Sequence, residues 1–74
     1  IRFELETAGH ARIAVFGSSG KWITNLVDGD LPAGVHHAVW TARDAHGEPL
    51  PSGAYLCKLT AGSKTATRKM ILVR

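Results

Sequence analysis

Seventy-four residues, 45% of them hydrophobic and 20% charged, with a net charge of +3, describe one small domain. Cys57 is the only cysteine, so no internal disulfide can staple the fold, and no apolar run approaches the roughly 20 residues a membrane-spanning helix needs. A chain of this size buries only about 60% of its unfolded surface, which leaves little room for a deep catalytic cleft beside its core.

The chain opens at Ile1 inside an alternating run, IRFEL, with Ile1, Phe3 and Leu5 on one face and Arg2 and Glu4 on the other; such a start reads as part of a longer polypeptide. ETAGH turns the chain, and ARIAVF alternates again with Ala11, Ile13 and Val15 on one face. GSSG at 17–20 is a turn by composition, because glycine supplies positive φ and serine bonds local backbone. KWITNLV is a weaker strand, followed by the Gly/Pro/Asp connection DGDLPAG. VHHAVWT, residues 35–41, returns to strand character, with His36, Ala38 and Trp40 on one face and Val35, His37 and Val39 on the other. RDAHGEPLPSG is a longer connection in which Asp44 and Gly47 fit the first and fourth positions of a type I turn. AYLCKLT and TATRKMILV close the chain as strands joined by the hairpin signal AGSK.

No segment carries a 3.6-residue apolar period with caps. The turn spacing therefore predicts an all-β fold over residues 1–74: a single small sandwich of about seven antiparallel strands and no helix. Trp40 is the strongest core candidate, since one indole buries about 150–250 Å². Pro49 and Pro51 cannot donate ladder hydrogen bonds, and Gly53 permits a backbone geometry other residues avoid. Together they set the register that places Tyr55, Cys57 and Leu59 on one face.

The candidates for chemistry each have a structural explanation. His36 and His37 are adjacent on a strand and point to opposite faces, while His10 and His46 sit at turns, so no metal site is expected. Cys57 lies mid-strand on an apolar face, where a thiol is inert. DGD at 28–30 and RDAHGE at 43–48 lack the spacing of a calcium loop and read as turn-forming aspartates. GSSG has no following Lys or helix to cradle a phosphate. Trp22 beside Lys21 reads as partly buried packing, with a contact surface as the second reading. Neither catalysis nor a cofactor is expected.

Charge is distributed unevenly. Residues 1–48 carry six acids and four bases, whereas residues 49–74 carry Lys58, Lys64, Arg68, Lys69 and Arg74 and no acid. No helix or aromatic ladder organises these cations for nucleic acid, so a solubilising set is the plain reading and an acidic partner the functional one. Arg68, Lys69 and Arg74 are the candidate partner contacts, because they flank an apolar terminal strand that edge pairing can capture.

Leu26, Asp28, Gly29, Leu31, Pro32, Ala33, Gly34, His36, Trp40, Asp44, Gly47, Pro49, Pro51, Ser52, Gly53, Tyr55, Leu59, Gly62, Arg68, Lys69, Met70 and Leu72 form an order that resembles the Ig-like domain of the flagellar hook-cap protein FlgD. It is similar also to the C-terminal sorting domains of type IX secretion. Trp40, Asp44, Gly47, Pro51, Gly53 and Tyr55 carry the structural motif. The resemblance implies an Ig-like sandwich without enzymatic activity, appended to a larger bacterial protein that passes through the periplasm to the surface or the medium. Its implied partners are the parent polypeptide and the secretion machinery or neighbouring subunits, and its implied role is sorting or surface attachment. The alternative is a purely structural module: an accessory domain of an extracellular enzyme, a hook-cap-like assembly domain or a filament subunit. Two departures stand out. The Asn-Pro-rich lead-in is absent, and Thr41 and Ala42 occupy the place where the family often has Asp-Gly.

Overall fold

In the computed structural model, which describes residues 1–73, the alternating runs form six strands: β1 (Arg2–Leu5), β2 (Gly9–Gly17), β3 (Trp22–Leu31), β4 (Gly34–His37), β5 (Gly53–Ala61) and β6 (Lys64–Leu72). All pairings are antiparallel. β1 and β4 make a two-stranded sheet, and the other four make a sheet in the order β3-β2-β5-β6. The architecture is an all-β arrangement of two sheets, as an Ig-like sandwich requires.

Alternation decides which side of each strand meets the core. Ile13 and Val15 are fully buried on the central strand β2, and Cys57 and Tyr55 lie beside them on β5. Phe3 and Leu5 close over them from β1, and Ala38 joins the same cluster from the end of β4. β3 runs irregularly against β2, with register shifts after Ile13 and after Val15. Such bulges leave an extra residue unpaired and increase the local twist.

The strand count is six, not the seven the turn spacing predicts. The strand expected over 35–41 stops at His37. Ala38 still exchanges hydrogen bonds with Ile1, donating from its N–H and accepting at its carbonyl, both at 2.7 Å. The backbone then leaves the ladder. Ala42 takes a left-handed φ of 58°, and the only bridge in the remainder of the connection joins Arg43 to Pro49. Trp40 consequently sits in this connection. It is half-buried and does not centre the core, which is built instead from aliphatic side chains and Phe3.

Candidate functional site

The terminal strand β6 positions the cations singled out from sequence. Its register sets Arg68 opposite Cys57 and Lys69 opposite Leu56. Side chains directly across a ladder share a face, so Arg68 follows the buried Cys57 toward the inside of the sandwich. Lys69 follows Leu56 to the outer face of the sheet. The two cations are neighbours in sequence but are not brought together. Arg74 lies outside the described residues.

Arg68 borders a groove between β1 and β6, together with Phe3, Ile13, Cys57, Leu59 and Ala66. The second sheet has only two strands against four, and β6 contributes Met70 to the packing while Arg68 and Ala66 stay exposed. Outside this groove, beside a neighbouring cavity, Lys64 Nζ meets Glu6 Oε2 at 2.9 Å, and this contact holds the Glu6 carboxyl below its usual range. Burial pushes the Cys57 thiol up, an effect only partly opposed by the N-terminal amine and Arg68. Its sulfur is thus kept protonated at neutral pH, which is the opposite of what a nucleophile needs.

The stretch from Trp40 to Tyr55 is held by a chain of local contacts. Asp44 accepts at its carbonyl from Gly47 N–H (3.1 Å), closing the expected turn, and Gly47 has a φ of 82°. Asp44 Oδ1 accepts from the N–H groups of Glu48 (3.0 Å) and His46 (2.8 Å), and the Glu48 contact leads in lowering its pKa. Tyr55 donates its hydroxyl to the Pro51 carbonyl at 2.5 Å. Its ring meets Trp40 edge to face, centroids 5.4 Å apart. The Trp40 indole nitrogen is buried without a hydrogen-bond partner. Gly53 has a φ of 158°, close to extended, and open space where a Cβ would stand.

The Tyr55 hydroxyl bond escaped the sequence reading, although its signal was present. In immunoglobulin-type sandwiches a tyrosine two residues before a core cysteine bonds back to the backbone a few residues upstream. Tyr55, Cys57 and Pro51 reproduce that spacing without a disulfide. A second feature was missed on the outer face of β2 and β3. Asn25 Oδ1 accepts from Trp22 Nε1 (3.0 Å) and Arg12 Nε (3.3 Å), and its amide reaches Asp28, which also meets His10 Nε2 at 3.0 Å. Trp22 therefore lies exposed and oriented by Asn25, not tucked into packing. Bulges in β2–β3 bring these side chains together, and alternation alone does not reveal them.

The histidines are dispersed. His36 lies beside the Phe3 ring and its Nε2–H donates to the Pro32 carbonyl at 2.7 Å, while His37 is exposed on the opposite face. Among the described residues no three His, Cys, Asp or Glu side chains converge in a way that could hold a metal ion. No helix of the structure is long and apolar enough to cross a membrane.

No curated protein and no solved structure matches the chain. The family model described as the FlgD Ig-like domain matches residues 1–65, a span that includes the Trp40–Tyr55 motif and ends at the start of β6. Arg68 and Lys69 lie beyond the matched span. Two antiparallel sheets, a tyrosine bonded back to the chain at the entry to β5 and this match point the same way: the chain belongs to the FlgD Ig-like domain family, whose members are structural modules.

Proposed function

We propose that this structural module serves as a C-terminal sorting or surface-attachment domain of a secreted bacterial protein, and that β6 is its contact element. The observation that carries the reading is the character of β6: an edge strand whose Arg68 and Lys69 are exposed, in a stretch with no acid after Glu48. An edge strand offers unpaired backbone groups to an extended partner, and flanking cations steer an acidic one toward it. Arg68 and Lys69 make no ion pair among the described residues, so their charges are available to a partner.

The test replaces both with serine. Exposed charges of this kind contribute at most about 1 kcal/mol, so the Arg68→Ser/Lys69→Ser domain should melt within a few degrees of the original. A parent protein carrying it should accumulate in the periplasm instead of reaching the surface. Normal surface display of a parent bearing the folded double variant refutes the sorting role of these cations.

A further inference from the structure

The geometry points to a strand-acceptor slot along the open edge of β1, built to take one extended segment of a partner protein that alternates apolar side chains and presents a carboxylate to Arg68. This rests on the attachment reading but places the partner's backbone on β1, leaving β6 to supply the charge contact through Arg68.

The backbone of β1 shows where the segment would bond. Ile1 and Ala38 exchange both hydrogen bonds, so the antiparallel ladder alternates from that pair. Phe3–His36 and Leu5–Gly34 are then the next hydrogen-bonded pairs, and they direct the N–H and C=O groups of Phe3 and Leu5 toward β4. The N–H and C=O groups of Arg2 and Glu4 point the other way, into the open edge. Among the described residues β1 has no other neighbour in its two-stranded sheet.

The layer beneath the edge shows what side chains the segment would bring. A strand paired there would stand about 4.8 Å from β1 and about 10 Å above β6, the spacings of neighbouring strands and of stacked sheets. It would cover the groove bordered by Phe3, Leu59, Ala66 and Arg68, whose volume is about 300 Å³. Apolar residues make up most of the lining, with Arg2, Glu4 and Arg68 as its charged members, and Arg68 makes no salt bridge among the described residues. A partner strand with an inward Glu or Asp at that level satisfies the guanidinium, and its inward apolar neighbours cover Phe3 and Leu59.

The experiment titrates isotopically labelled protein with a synthetic eight-residue peptide of alternating Thr and Val in which one central Val is Glu. Amide shifts and slowed hydrogen exchange are expected at Arg2 and Glu4. Two variants and a second peptide localise the effect. Glu4→Pro removes an N–H that faces the open edge while sparing the ladder to β4, a place where an edge strand tolerates proline. It should weaken binding at least about tenfold, as should Arg68→Ser and a peptide with Lys in place of Glu. The Arg68→Ser and Lys-peptide comparisons decide the matter even if Glu4→Pro does not fold. The slot is overturned by shifts confined to the outer edge of β6, by indifference to both the Arg68 and the peptide charge, or by no shift at roughly 1 mM peptide. It is equally overturned by concentration-dependent shifts at Arg2 and Glu4 without peptide, which would make a second copy the occupant. Peptide binding is read on the isolated chain and surface display on the parent protein, so either reading can fail alone.

Discussion

Tyr55 joins two parts of the motif through different ends of one side chain. Its ring is buried against Trp40 and its hydroxyl ties the strand entry to Pro51. Tyr55→Phe keeps the ring contact and removes the tie, leaving the Pro51 carbonyl without this donor. The expected loss is about 1 kcal/mol, measured by urea denaturation; an unchanged midpoint means that water replaces the bond at no cost. Ala42 presents the opposite case. A left-handed φ costs a residue with a Cβ about 1–2 kcal/mol, whereas glycine adopts it freely but gives up about 0.5–1 kcal/mol in chain entropy. Ala42→Gly should therefore stabilise the domain by roughly 0.5–1 kcal/mol, read in the same denaturation experiment. A loss of stability would show that the loop relaxes around alanine. The absent Asp-Gly after Trp40 was visible in the sequence, but its consequence needed the backbone angle.

Strands and turns differ in how openly the sequence declares them. β1, β2, β5 and β6 lie where the strand-like runs predict them, and Phe3, Ile13 and Cys57 face inward as alternation indicates, although Ala14 on the opposite face of β2 is buried too. The Asp44–Gly47 turn was legible because both residues have local reasons to be there. The early end of β4 was not, because Val39 and Trp40 have strand propensity and only the path of the connection decides against it. Acid is expected to weaken the fold through Asp44 in that connection and Glu6 in the turn after β1. The carboxyls of Asp44 and Glu6 titrate below their ordinary values of 3.8 and 4.5 in the folded chain, the first through backbone N–H bonds and the second through Lys64. Groups with depressed folded pKa values contribute in full above the unfolded values, and the contribution is lost as pH falls through the folded ones. The melting temperature should thus show no loss from these two groups between neutrality and about pH 5 and should decline below about pH 4. Asp44→Asn and Glu6→Gln should each flatten that decline, and an equally steep acid limb in both variants would assign it to other carboxyls.

Across the whole molecule, burial is divided unevenly between strands. Every fully or nearly buried side chain comes from β1, β2 or β5 or is Ala38, while β6 contributes none. The last strand of the four-stranded sheet is covered only in part: Met70 and Leu72 are half-buried, Met70 against the core, and its other residues are exposed. The candidate site on β6 was legible as a charge pattern, but its division into an inward Arg68 and an outward Lys69 required the register with β5. The same division predicts how substitutions act. Ile13 is fully buried on the central strand beneath β1, so Ile13→Ala removes methylenes from a place that cannot refill and should cost about 2–5 kcal/mol. A domain of this size is stable by only about 4–11 kcal/mol. At roughly 4–8 °C per kcal/mol, the melting temperature should fall by at least about 8 °C. Ile71, 64% exposed on the outer face of β6, has little packing to lose, and Ile71→Ala should stay within about 0.5 kcal/mol of the parent. Thermal unfolding followed by circular dichroism compares the two directly. Similar losses at both positions would mean that β6 is buried in solution, and an outer strand already covered in the free protein could not be the element that waits for a partner.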